Sequence, residues 1–347
     1  MVEEREELKS LKPYVRPPLV NARVKLNQNE SPFDVPNKLK REIIGLFKEM
    51  QFNRYPEGSS EELRKEIAAY CGTGCKPENV LGGNGIDEVL YCLMMAYIGK
   101  NDTVIYGVPT FPIYEICAKI MGAKVEEVEL DAETFALPSD FADKCSGKIV
   151  VICTPNANTG NTFSEEEIRK VAGKAKMVIV DQAYAEFAGL QPIFGGNIVC
   201  LRTMSKAFCA AGLRLGYAIA DERIVQGMDK VRLPWNLNSL SQAAGLVFMR
   251  NRAEFEKGVN KIIKERNRVY KKLKRMNGVE KVWASEANFL LFRVNDAKET
   301  YAKMLGQGVQ VRDVSSYPLL ANCLRVSVGS GNENDEFLAA LEKALNG

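Results

Sequence analysis

Between residues 102 and 220 the chain alternates short apolar runs with amphipathic stretches. The runs at 102–106, 125–130, 148–153, 177–181, 198–203 and 215–220 read as strands. Helical spacing falls between them, at 111–121 and 164–172 for example. Ser164 followed by Glu165, Glu166 and Glu167 reads as a helix start with an N-cap and an acidic first turn. This alternation predicts an α/β fold, a mostly parallel central sheet flanked by helices. After residue 237 the texture changes. A helical pattern runs from 239 to 276, then short strands at 288–294, 309–313 and 323–328 precede a closing helix, which together predict a smaller α+β unit. The first 35 residues are Pro-rich and irregular. The chain is therefore divided into an arm at 1–35, packing on the small domain or a partner subunit, a large domain at 36–237 and a small domain at 238–347.

Composition changes this picture in one respect. The 347 residues include no histidine, so Ser-His-Asp and Cys-His catalysis, histidine metal sites and histidine pH switches are excluded. Proton transfer near neutral pH falls to lysine, tyrosine, cysteine or carboxylates. A net charge of +3 makes no case for a nucleic-acid partner. Residues 252–275 carry ten Lys or Arg against three Glu, but these surround an apolar stripe and read as a solvated helix face. Nine scattered cysteines fit a reducing cytoplasm better than a disulfide framework, and Cys71 with Cys75 lacks a second pair to complete a metal site. The charged start and the lack of a long apolar run predict neither a signal peptide nor a membrane span.

Three segments could carry chemistry. In Ile198-Val-Cys-Leu-Arg-Thr-Met-Ser-Lys206 a buried strand runs directly into a lysine, and Gly212-Leu-Arg214 follows. A desolvated lysine is suited to Schiff-base formation, and Arg214 could hold a phosphate with Thr203 and Ser205. A surface lysine at a strand end fits that segment equally well. In Met177-Val-Ile-Val-Asp181 an apolar strand delivers a carboxylate to its carboxyl end, where ligands of α/β sheets bind, with Tyr184 three residues on. A capping Asp and a packed Tyr would explain this segment too. Gly82-Gly-Asn-Gly-Ile-Asp-Glu88 precedes an apolar helix and could cradle a phosphate at the helix N-terminus, although it is neither a P-loop nor a dinucleotide fingerprint.

Taken together with Asn29-Glu-Ser-Pro32, Arg54-Tyr-Pro56, Pro109-Thr-Phe111, Val311-Arg-Asp313 and Cys323-Leu-Arg-Val-Ser-Val-Gly329, these segments occur in the order seen in fold-type I, class I/II aminotransferases, which the chain resembles over nearly its whole length. Leu11-Lys-Pro-Tyr14 and Val231-Arg-Leu-Pro-Trp-Asn236 point, within that group, to the histidinol-phosphate aminotransferases. The resemblance implies that Lys206 holds pyridoxal 5′-phosphate and shuttles a proton, and that Asp181 keeps the pyridine nitrogen protonated. It implies further that Tyr184 donates to the cofactor's phenolic oxygen, that Phe111 stacks on its ring, and that Gly85, Ile86, Asp87, Thr203, Ser205 and Arg214 cradle its phosphate. Tyr55 would reach the cofactor of the partner subunit in a homodimer. Arg325, with Arg312, Tyr14 and Asn29, would bind the substrate's anionic group. The implied partners are a small-molecule amino donor and a 2-oxo acid, in histidine biosynthesis in the cytoplasm, with no metal, nucleic acid or membrane.

The chain departs from that family at Thr154-Pro-Asn-Ala-Asn-Thr-Gly160, where the Asn that usually meets the cofactor phenolate aligns with Ala157. Asn156 or Asn158 could substitute, and the site assignment takes Asn158. The usual Asn-Pro cis bond is not expected at 157–158. The usual Asp-Glu is Asp181-Gln182. A threonine-phosphate decarboxylase, another class I/II aminotransferase and a catalytically silent pyridoxal-phosphate binder are the alternatives.

Overall fold

The computed structural model describes residues 2–9, 11, 20–72 and 74–346. Among the described residues thirteen strands follow in chain order: β1 Val24–Lys25, β2 Val80–Asn84, β3 Thr103–Val108, β4 Lys124–Glu129, β5 Ile149–Cys153, β6 Met177–Asp181, β7 Ile198–Thr203, β8 Leu215–Ile219, β9 Val279–Val282, β10 Phe289–Val294, β11 Val309–Gln310, β12 Arg312–Asp313 and β13 Cys323–Ser327. Seven of them form one sheet in the order β2-β8-β7-β6-β5-β3-β4. Only β8 runs against the others, pairing antiparallel with both β2 and β7. Every residue of β5, β6, β7 and β8 is buried, which is why these segments read as unbroken apolar runs: a parallel sheet covered on both faces leaves no polar alternation. The chain leaves β3 for β4 on one side and returns to β5 on the other. That reversal opens a crevice at the carboxyl ends of the parallel strands.

A second, antiparallel sheet, β12-β13-β10-β9, carries the helices Ala253–Leu273, Ala297–Gly306 and Gly331–Asn346. The segment before residue 30 is tied to this C-terminal part, because β1 pairs in parallel with β11 and the Leu26 carbonyl accepts from the Ser327 N–H at 2.9 Å.

Several local expectations are corrected. The helical stretch from 239 to 276 is two helices, Ser239–Arg250 and Ala253–Leu273. Asn251 ends the first: its N–H reaches the Val247 and Phe248 carbonyls and its side-chain Nδ2 donates to Val247 O at 2.9 Å. In the second helix Phe255, Val259, Ile262, Val269 and Leu273 are buried, and most of the basic residues face outward. The strand read at 309–313 is split at Val311, since β11 and β12 belong to different sheets. Gly82 and Gly83, read as part of a glycine-rich approach to the helix, lie in β2. The helix start read at Ser164 holds: Ser164 accepts from the Glu167 N–H and Glu167 reciprocates, a full capping box.

Candidate active site

The crevice is a cavity of about 860 Å³. Each wall comes from the end of a different strand. Phe111 follows β3, Asn158 follows β5, Asp181 ends β6, and Thr203, Ser205 and Lys206 end and follow β7. Ile86 and Asp87 begin the helix that follows β2, Arg312 and Arg325 lie on β12 and β13, and Asn29, Tyr184 and Arg214 complete the lining. Of the other residues expected at the site, Gly85 sits behind Arg214. Tyr55 is 77% exposed and stacks on Trp235 at 4.4 Å, away from this cavity. Tyr14 lies outside the described residues.

At the floor, Asp181 accepts from the Tyr114 hydroxyl at 2.6 Å and from the Ala183 N–H at 3.0 Å. Burial nevertheless pushes its pKa up to about 6, against which the Tyr114 hydrogen bond works. Tyr114 itself is fully buried. Sequence reading missed it because a Tyr on the apolar face of a short helix looks like core. The Tyr184 hydroxyl accepts from Asn29 Nδ2 at 3.0 Å, and burial raises its pKa to about 12.

Lys206 Nζ donates to the Gln28 carbonyl at 3.0 Å and lies 5.9 Å from the centre of the Tyr184 ring. Burial, reinforced by the Arg325 guanidinium, lowers its pKa to about 8, so a useful fraction of the amine is neutral near physiological pH. At the anion end, Gly85 has φ +79° and its helix opens toward the cavity. A Cβ at Gly85 would stand 2.7 Å from Arg214 Nη2, and one at Gly216 would stand 2.5 Å from Gly85 C and Ile86 N. Both glycines keep the first turn of that helix bare. Arg214 meets Asp87 at 3.2 Å, and the Ser205 N–H donates to Thr203 Oγ1 at 3.1 Å.

At the mouth, Arg325 Nη1 donates to Ala157 O at 2.6 Å and to Asn158 Oδ1 at 3.0 Å. Asn158 in turn donates to Thr110 O at 2.7 Å, whereas Asn156 is turned away onto Pro109 O. Of the two candidates for the position vacated at Ala157, only Asn158 reaches the cavity. The cis peptide bonds among the described residues are Val108-Pro109 and Thr154-Pro155, and 157–158 is not among them. Arg312 is the cross-strand partner of Arg325. Two guanidinium groups at directly paired positions repel unless an anion lies between them.

Comparison with known proteins decides the family. Residues 22–341 match the family model for aminotransferase class I and II. The chain belongs to that family. A histidinol-phosphate aminotransferase from Caldanaerobacter subterraneus subsp. tengcongensis is 38% identical to this aminotransferase over 350 residues, covering 99% of this chain and 98% of its own. Among solved structures, histidinol-phosphate aminotransferase from Sinorhizobium meliloti in complex with pyridoxal-5′-phosphate superposes with a TM-score of 0.80 at 21% identity, covering 94% of this chain and 92% of its own. L-threonine-O-3-phosphate decarboxylase from Porphyromonas gingivalis also superposes with a TM-score of 0.80 at 21% identity, covering 93% and 100%. The shared fold therefore spans both reactions, and the choice between them falls to the site.

Behind the cavity this aminotransferase carries a buried polar cluster. Arg202 pairs with Glu186 at 3.2 Å and donates to Gln182 Oε1 and to Leu190 O. Gln182, where the family usually has Glu, is thus a neutral acceptor, and Glu186 supplies the counter-charge. Among the described residues no group of three or more Cys, Asp or Glu could hold a metal ion, and no helix is long and apolar enough to cross a membrane.

Proposed function

We propose that this aminotransferase moves the amino group of histidinol phosphate to 2-oxoglutarate with pyridoxal 5′-phosphate as cofactor, giving imidazole-acetol phosphate and glutamate. The observation that carries the substrate class is the Arg312–Arg325 pair at the mouth, a doubly cationic fork suited to a phosphate ester in one half-reaction and a carboxylate in the other.

The residues present fit the cofactor. Gly85 and Gly216 hold the start of a helix free of side chains beside Arg214, Thr203 and Ser205, which suits a phosphate. Asp181 at the floor suits a protonated pyridine nitrogen. Bound there, pyridoxal 5′-phosphate supplies a sink for the electrons of a substrate C–H bond. Lys206 then takes and returns the proton at the substrate carbon, a role its lowered pKa favours. Tyr184 directs its hydroxyl to the phenolic oxygen, Phe111 covers the ring and Asn158 holds Arg325 in place. Ile44, Phe47, Phe52, Tyr55, Leu233 and Trp235 are exposed apolar side chains, and they support a homodimer in which Tyr55 reaches the neighbouring cofactor's phosphate. All nine cysteines are free thiols, which favours a reducing cytoplasm.

The test is a single turnover. Cofactor-loaded protein mixed with histidinol phosphate, without an oxo acid, is expected to convert its visible absorbance to that of the amine form of the cofactor. Carbon dioxide from threonine phosphate with no such conversion would give the decarboxylase reading instead. Inertness toward both compounds would identify a silent binder.

A further inference from the structure

The direction of the hydrogen bond at Tyr184 is set, through Asn29, by residues that the proposed site does not include. Asn29 has φ +53°, a left-handed conformation that Asn adopts more readily than most residues, and its surroundings hold it there. Three contacts do so. Its N–H donates to Ser327 Oγ at 2.8 Å, its carbonyl accepts from Asn288 Nδ2 at 3.0 Å, and its Oδ1 lies 3.3 Å from Ser327 Oγ. Asn29, Ser327 and Asn288 are all buried.

The hydrogen bonds around the Asn29 carboxamide assign its protons. Ser327 Oγ accepts from a backbone N–H, so its single hydrogen is free to point to Asn29 Oδ1. That contact, at 3.3 Å, favours the carboxamide orientation with Oδ1 toward Ser327, where a carboxamide by itself presents oxygen or nitrogen with equal ease. Nδ2 then faces Tyr184 and donates to its oxygen at 3.0 Å. With that oxygen already receiving a proton, the tyrosine's own O–H is left for an acceptor in the cavity. Were the carboxamide reversed, Oδ1 would take the tyrosine's proton and the cavity would lose its donor.

We infer that Ser327 is a positioning residue that acts through the Asn29 carboxamide to aim the Tyr184 hydroxyl proton into the cavity. Ser327 lies two residues beyond Arg325 on β13, so one strand holds both the anion-binding guanidinium and the residue that orients this donor. The inference rests on the reading that Tyr184 faces the cofactor's phenolic oxygen.

The experiment is a pH titration of the visible band of the cofactor-loaded protein. The donor stabilises the phenolic oxygen most when the lysine–cofactor link has lost its proton, so removing the donor raises the pH at which the band titrates. Tyr184→Phe is expected to raise it by about one to two pH units. Ser327→Ala is expected to move it in the same direction and to add nothing in the Tyr184→Phe background, whereas Ser327→Thr, which keeps the hydroxyl, stays at the wild-type value. A Ser327→Ala titration at the wild-type pH, or one fully additive with Tyr184→Phe, overturns the inference and leaves the cofactor placement standing. No shift in Tyr184→Phe itself overturns both. Should Ser327→Ala fail to fold, Ser327→Gly, which likewise removes the hydroxyl without adding charge, takes its place: it must give the same upward shift, and a wild-type titration there overturns the inference.

Discussion

Arg202 and Arg214 flank Lys206 on one stretch of chain, yet their surroundings are opposite. Arg202 is 2% exposed, is paired with Glu186 and donates to Gln182 and Leu190. The Arg214 side chain is 49% exposed and meets only Asp87 and one carbonyl. A charge can be buried only if the protein supplies its partners, so Arg202 is committed to fastening β6 to β7. An ion pair in water contributes little, so Arg214 can exchange Asp87 for a phosphate at small cost. The same residue type is scaffold on one side of the lysine and ligand on the other.

Four substitutions would break or sharpen this contrast. Lys206→Ala, between the two arginines, should lower turnover at least ~10³-fold while the fold persists, as measured by steady-state kinetics and circular dichroism. Arg202→Ala leaves the largely buried Glu186 with only the Tyr70 hydroxyl and no counter-charge, and should cost about 3–5 kcal/mol in urea unfolding of the apo-protein. Arg214→Ala should leave that unfolding within ~0.5 kcal/mol of wild type but weaken cofactor binding roughly 10- to 100-fold by equilibrium dialysis. Equal unfolding penalties for the two arginine variants would end the distinction. Tyr114→Phe removes one hydrogen bond to Asp181 and should reduce cofactor affinity several-fold, the smallest effect of the four.

The pH dependence separates the lysine from its neighbours in a second way. The folded-state pKa of Lys206, about 8, lies below its ordinary 10.5, so its contribution to stability is present above 10.5 and lost as pH falls through 8. At pH 7 the apo-protein therefore bears a partly desolvated ammonium. Lys206→Met is expected to raise the apo-protein Tm by roughly 2–6 °C at pH 7, with the gap narrowing toward pH 9 in scanning calorimetry. The rate at which pyridoxal phosphate joins the wild-type apo-protein should rise with pH and level off above about 8.

How much of this was legible in the sequence depended on range. The bounds of β6 and β7 could be read to the residue, because burial on both faces makes an apolar run that stops where the crevice begins. The capping box at Ser164 was equally local. β2 was hidden because Gly82 and Gly83 carry no side chain to show a pattern, and their strand character comes from pairing with β8. The break at Asn251 was hidden because the apolar spacing continues across it. Most of the lysine's neighbours could be named from motifs. Tyr114's hold on Asp181 and Arg325's on Asn158 join residues far apart in sequence, and no spacing rule reaches that far.

The tie between residues 24–29 and the C-terminal sheet also has a consequence for synthesis. The segment that orients Tyr184 leaves the ribosome well before its partners: 298 positions separate Asn29 from Ser327, and β11 also follows late. The central sheet can be assembled while translation continues, but the site waits for β11, β12 and β13. A nascent or truncated chain ending before about residue 320 would hold Lys206 in a formed sheet and still lack a finished cavity.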